Sequence, residues 1–216
     1  MKILFQGDSV TDAGRSREDP HLLGNGYPKY VAELLRQRWP DTTFEFLNYG
    51  VSGNRTRDLL ERWQTDCIDP QPDVVSILIG INDTWRAFDQ NDPTTVEQYE
   101  SNYRSLMQQI KDHTDAKILM LEPFLIPADD VKANWRPDLD PKIHAARRLA
   151  REFADAYIPL DGLFAAACVN RDPAYWAADG VHPTAEGHLF IAGHYVDVME
   201  NCCNIGDTLC GIPLEL

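Results

Sequence analysis

No run in these 216 residues approaches the uninterrupted apolar length that a bilayer demands. Met1-Lys2 leads directly into an apolar strand, without the basic and apolar regions of a signal peptide. A soluble, cytoplasmic protein is expected. Basic residues are scarce: 20 Lys and Arg stand against 34 Asp and Glu, and the net charge of -14 repels nucleic acid and anionic membranes at long range. Neither is expected as a partner, and a neutral substrate fits better. Cysteine is sparse and unpatterned. Cys67 and Cys168 stand alone, Cys202, Cys203 and Cys210 crowd the C-terminus, and no Cys-x-x-Cys pair occurs. That argues against a zinc site or a disulfide framework and for free thiols, with a disulfide or a fortuitous metal in the tail as the minority alternative. Pro/Gly/Ser-rich linkers, low-complexity tracts and internal repeats are missing, so residues 1–216 are expected to form one domain whose last residues are a candidate tail.

The chain does contain 44% hydrophobic and 25% charged residues, an ordinary globular balance, arranged as short apolar runs alternating with helical periodicity. Residues 2–6, 44–48, 74–79, 117–121 and 157–160 read as strands. The β-branched run 74–79 looks central and buried on both faces, whereas the fifth, which contains Pro159, belongs at an edge. Helices are expected over 27–39, 57–65, 95–112, 141–156, 163–169 and 185–202, with loops over 12–25 and 124–139. The alternation predicts an α/β fold, a three-layer α/β/α sandwich around a five-stranded parallel sheet with right-handed crossovers.

In such a sheet every strand's carboxyl end faces the same way, and chemistry collects there. The first strand stops at Gly7 and delivers Ser9 to a tight turn that Asp8 can hold, a position suited to a nucleophile. Gly53 follows the second strand within Gly50-Val51-Ser52-Gly53-Asn54, and Asn82 follows the third within Gly80-Ile81-Asn82-Asp83. Asp179 precedes His182 by three residues, so its carboxylate can reach the imidazole Nδ1 and leave Nε2 facing Ser9 as a general base. The N–H groups of Ser9 and Gly53 and the amide of Asn82 would then receive an oxyanion. Each pattern alone is also an ordinary turn or cap; their joint occurrence at strand ends points to a serine hydrolase. His188 and His194 lie six apart, a poor spacing for joint metal ligation, and His21, His113 and His144 are isolated, so surface or packing roles are expected for all five. No metal or organic cofactor is required.

These blocks carry a family resemblance. Gly7-Asp8-Ser9-Val10, the segment 48–54 with Gly53, Gly80-Ile81-Asn82-Asp83 and Asp179-Gly180-Val181-His182 look like the four blocks of the SGNH hydrolases, the GDSL esterase/lipase family, with Val10 where leucine is frequent. The likeness spans nearly the whole chain, and no Gly-x-Ser-x-Gly elbow surrounds Ser9. It implies the flavodoxin-like SGNH hydrolase fold, Ser9 as nucleophile, His182 as base, Asp179 as its orienting acid, and Ser9, Gly53 and Asn82 as the oxyanion hole. Segments 23–27, 52–59 and 79–86 resemble the branch containing bacterial intracellular acetylxylan esterases. That narrower likeness implies a small-molecule ester substrate such as an acetylated xylo-oligosaccharide, with Trp85 stacking on sugar or closing a small acyl pocket and Arg55 or Arg86 bonding to sugar hydroxyls. Trp85 reads equally as core packing, and the two arginines as surface charges or ion pairs. Ala178 departs from the aromatic residue expected before Asp179 in this branch.

Two rivals follow. A lysophospholipase or thioesterase of the same family needs an apolar groove beside Ser9, which the charged, proline-bearing loops 12–26 and 124–139 do not suggest. A carbohydrate-binding module with a vestigial site would bind saccharide without hydrolysis. A symmetric homo-oligomer is compatible with a chain of this size.

Overall fold

The computed structural model describes residues 1–128 and 130–202. In chain order these form β1 (Lys2–Gly7), α1 (Ser9–Asp12), α2 (Tyr27–Arg38), β2 (Glu45–Asn48), α3 (Thr56–Trp63) continued by a π-helical turn (Gln64–Ile68), β3 (Val74–Leu78), α4 (Ile81–Asp89), α5 (Val96–His113), β4 (Lys117–Leu121), α6 (Asp130–Ala133), α7 (Arg136–Phe153), β5 (Ala156–Ile158), α8 (Leu160–Ala167), α9 (Pro173–Trp176) and α10 (Ala185–Cys202). The five strands pair in parallel in the order β2-β1-β3-β4-β5. The pleat sends alternate residues to opposite faces. Ile3, Phe5, Val74, Leu78, Leu119 and Leu121 join the core under α2, α8 and α10, while Leu4, Val75, Ile77, Ile118 and Met120 join the core under α3, α5 and α7. The result is the expected three-layer sandwich, with β3 buried throughout and β5 at an edge where Pro159 can follow it.

Local signals account for the helix ends. At α5, Thr95 Oγ1 accepts from Gln98 N at 3.2 Å while Gln98 Oε1 accepts from Thr95 N at 3.0 Å, a reciprocal capping box. The segment 124–139, expected as a loop, instead contains α6 and the start of α7. Pro137 lies in the first turn of α7, where a proline is tolerated, and Pro141 is carried inside the helix, so the helix begins at Arg136 rather than at Pro141. Burial of Trp135, Leu139 and Ile143 against Ile81, Leu125 and Val181 repays that interruption. Two elements expected as turns are helical: Ser9 opens the single turn of α1, and Asn82 lies in the first turn of α4. Among the described residues no helix is long and apolar enough to cross a membrane. Cys67 is buried and Cys168 half-buried, both as free thiols; Cys203, Cys210 and the side chain of Cys202 lie outside the described residues.

His188 belongs to the core and not to the surface. It is 8% exposed on α10, and its Nδ1 accepts the N–H of Tyr27, the first residue of α2, at 3.1 Å. Gly26 precedes that helix without a capping side chain, so a residue from the neighbouring helix supplies the missing acceptor. Burial, reinforced by the nearby charge of His182, pushes the His188 pKa down from 6.5 to about 4. Above pH 6.5 the imidazole is neutral in both folded and unfolded chains. As the pH falls from 6.5 towards 4, the unfolded chain binds a proton that the folded chain refuses, so stability declines. We predict that His188→Gln, which cannot titrate, flattens this decline by up to about 1.4 kcal/mol per pH unit in urea denaturation across that window. An unchanged slope would remove His188 as its source.

Candidate active site

The carboxyl ends of β1, β2 and β3 release three turns side by side. After β1, the Asp8 side chain accepts the N–H of Val10 at 3.1 Å and fixes the start of α1, presenting the half-buried Ser9 at its first position. After β2, the chain turns through Gly53 at φ +84°. A Cβ there would meet nothing within 4 Å, so glycine is required by the dihedral and not by space. After β3, Gly80 leads into α4, whose first turn carries buried Asn82 and Asp83.

The fourth group arrives from the far end of the sequence. Asp179 Oδ1 accepts the N–H groups of Val181 at 2.9 Å and His182 at 2.8 Å, and its Oδ2 lies 2.8 Å from His182 Nδ1. Between them Gly180 stands at φ +80°, and a Cβ on it would come within 2.5 Å of the Ile126 carbonyl oxygen. His182 Nε2 lies 2.9 Å from Ser9 Oγ. A continuous hydrogen-bonded chain therefore joins carboxylate, imidazole and hydroxyl across 173 residues of sequence.

Charge is distributed to match. The hydrogen bond that His182 donates to Asp179 raises the His182 pKa above its ordinary value, and partial burial opposes it only in part. Burial pushes the Asp179 carboxyl up, but the imidazole and the two backbone N–H groups outweigh it and hold that carboxyl well below the usual carboxylate range. Beneath the site, burial lifts Asp8 to about 7 against the pull of the Val10 N–H. Burial also lifts Asp83 to about 6, opposed by hydrogen bonds from Thr56 Oγ1 at 2.7 Å and Thr56 N at 3.1 Å. Those bonds tie α4 to the start of α3.

Two of the three oxyanion candidates are tied to each other. Asn82 Nδ2 donates to the Asn54 carbonyl at 3.1 Å, which ties α4 to the turn that carries Gly53. Among the described residues, neither the Ser9 nor the Gly53 N–H has a protein acceptor. Of the proposed substrate contacts, the Trp85 ring centroid lies 5.8 Å from that of His182 and 5.2 Å from that of Trp135. Arg86 turns towards Asn82, with Nη2 3.3 Å from Oδ1, while its Nη1 holds Asp89. Arg55 is buried and directed at Asp92, donating from Nη2 to Oδ2 at 2.9 Å and from Nη1 to the carbonyl at 3.2 Å.

Sequence patterns do not reveal Lys132. Its Nζ donates to the Asp179 carbonyl oxygen at 2.5 Å and lies over the rings of Trp85 and Trp135, at 5.4 and 5.8 Å from their centroids. It stands on α6, in a segment without helical periodicity. The fully buried Glu122 is equally unannounced. It accepts from Arg147 Nε and the Tyr157 hydroxyl, both at 2.6 Å, and from Asp161 N at 3.0 Å, and so anchors the ends of β4 and β5. A cleft of about 320 Å³ lies beyond it, between α7 and β5, lined by Arg147, Ala150, Arg151, Ala154, Ala156 and Tyr157. It holds no nucleophile and base together, unlike the site at Ser9. Among the described residues, no group of three or more His, Cys, Asp or Glu is arranged to hold a metal ion.

Comparison with known proteins agrees with the fold. The sequence model of the GDSL-like lipase/acylhydrolase family matches residues 5–189. An acetylxylan esterase of Geobacillus stearothermophilus is 36% identical over 199 residues, covering 88% of this chain and 90% of its own. Its crystal structure superposes with a TM-score of 0.84 at 34% identity, covering 95% of this chain and 94% of that one. Crystal structures of its catalytic mutants replace a serine, a histidine and an aspartate. A protein from Parabacteroides merdae described as a GDSL-like lipase gives a TM-score of 0.86 at 35% identity, covering 92% of this chain and 95% of that one.

The electrostatics can be measured directly. In an NMR titration His182 is expected to titrate above the ordinary 6.5, and Asp179→Asn is expected to lower that midpoint. A midpoint indifferent to Asp179 would contradict the coupling.

Proposed function

The chain belongs to the GDSL-like lipase/acylhydrolase family and is a carboxylic ester hydrolase, and from that premise we propose that it removes small acyl groups, acetyl above all, from O-acetylated sugars such as xylo-oligosaccharides through an acyl-enzyme on Ser9. The observation that carries this reading is the unbroken contact of Asp179, His182 and Ser9, at 2.8 and 2.9 Å, beside the Gly53 turn and Asn82. Ser9 Oγ attacks the ester carbonyl carbon while His182 Nε2 takes its proton and Asp179 holds the imidazolium through Nδ1. The N–H groups of Ser9 and Gly53 and the Asn82 amide receive the developing oxyanion. The bond to the sugar oxygen then breaks, and that oxygen leaves with the proton from Nε2. Water, activated by the same imidazole, attacks the acyl-enzyme and releases acetate and the free serine.

The choice of acetyl rests on the likeness to an acetylxylan esterase, 36% identical over 199 residues. The void behind the serine turn, walled in part by Asp8, Val10, Ile81 and Val181, encloses only about 10 Å³, no more than one water needs, so the acyl group does not enter it. Trp85 flanks His182 as a wall of the site. Arg55, engaged with Asp92, contributes by holding the segment after Gly53 and not by meeting sugar. The same proposal takes residues 1–216 as one hydrolase domain working in the cytoplasm.

Replacing Ser9 by alanine is expected to lower turnover of an acetyl ester by about a thousandfold or more with unchanged thermal stability. Retained activity would disqualify Ser9. Among esters of one alcohol, acetyl is expected to be cleaved faster than octanoyl, measured as kcat/KM; the opposite order would assign the enzyme to long-chain lipid esters or thioesters.

A further inference from the structure

The side chain of Asn82 is held from both ends by partners of opposite character. Its Nδ2 carries two hydrogens, and one is donated to the Asn54 carbonyl at 3.1 Å. Its Oδ1 accepts from Arg86 Nη2 at 3.3 Å, one turn further along α4. Rotating the amide by half a turn would set Oδ1 against a carbonyl oxygen and the NH2 group against a guanidinium, making both contacts repulsive. The orientation with Nδ2 towards Asn54 is therefore the one these partners select, and its second hydrogen remains for a ligand at Ser9. Arg86 is itself fixed. Nη1 holds the Asp89 carboxylate, the guanidinium lies over the Trp85 ring at 5.6 Å, and the side chain is 19% exposed.

We propose that Arg86 is a positioning residue of the oxyanion hole, orienting and polarising the Asn82 amide, rather than a contact for sugar hydroxyls. A cationic donor on the amide oxygen draws density from the nitrogen and makes the remaining Nδ2 hydrogen a stronger donor. That gain grows as charge accumulates on the substrate oxygen, so it favours the transition state over the bound ester. Asn54 completes the device. Its side chain is held by Arg62, whose Nε donates to Oδ1 at 2.8 Å, so the carbonyl that receives Asn82 is anchored together with the Gly53 turn.

This inference rests on the reading of Asn82 as an oxyanion donor, and the two can fail separately. The test measures kcat and KM for an acetylated xylo-oligosaccharide and for a small aryl acetate with Arg86→Met, Arg86→Lys, Asn82→Ala and the double variant Asn82→Ala/Arg86→Met, with thermal melting of each. Arg86→Met is expected to lower kcat about tenfold or more on both substrates with KM held within about twofold. Arg86→Lys, which keeps a cationic donor, is expected to recover most of the loss. In the Asn82→Ala background Arg86→Met should cost nothing further, because the two act as a unit. A rise in KM confined to the oligosaccharide would make Arg86 a sugar contact, and equal losses in both backgrounds would make it independent of Asn82; either overturns the proposal. If Asn82→Ala keeps full turnover, the oxyanion reading falls. If Asn82→Ala loses turnover and Arg86→Met does not, only the role of Arg86 falls.

Discussion

The parallel pairing of β1 with β2 on one side and β3 on the other is the constraint from which the site follows. Phe5 pairs with Asn48 and Gly7 with Leu78, so the turns after the three strands leave the sheet at neighbouring points and in the same direction. Ser9, Gly53 and Asn82 are near one another because strands that start together end together. An antiparallel pairing of any of the three would place its turn at the opposite end. The bond from Asn82 to the Asn54 carbonyl then removes the slack left between two of these turns.

The imidazole reaches this platform by a different route. The loop that carries Asp179 and His182 is not a strand end of the central trio, and its position is set by packing. Val181 enters the apolar cluster of Ile81, Leu125, Trp135, Leu139 and Ile143, while the Gly180 carbonyl accepts the N–H of Ile126 at 2.8 Å. The cluster includes the first residue of α4, so the hydrophobic contact that seats the loop of His182 also seats the helix bearing Asn82. The carboxylate is then held by three N–H groups, two of the backbone and one of the ring, which hold its pKa well below the usual carboxylate range.

The strands are legible in the sequence because each is a short apolar run closed by glycine, proline or asparagine. The parallel order follows from their alternation with helices. The blocks at Ser9, Gly53 and Asn82 are legible for the same reason, small residues marking strand ends, while Asp179–His182, in the loop before α10, is legible from its three-residue spacing. The helix of α4 is less so, since Ile81–Asp89 reads as a turn when Gly80 and Asn82-Asp83 are weighed alone. Without that helix the four-residue spacing of Asn82 and Arg86 has no meaning, and Arg86 is taken for a surface charge. α7 begins earlier than expected because tertiary burial of Leu139 outweighs the local veto of Pro141. Lys132, Glu122 and His188 carry no local pattern at all; their roles come from partners distant in the chain.

The order of these parts along the polypeptide matters during synthesis. Ser9, Gly53 and Asn82 leave the ribosome early and can be seated by the first three strands, yet the imidazole waits on residue 182, and α10, which packs against α2, follows it. Until then Ser9 lacks the imidazole that lies 2.9 Å from it in the folded chain. The contact between Ser9 and His182, like that between α2 and α10, therefore closes only after the intervening chain has been made.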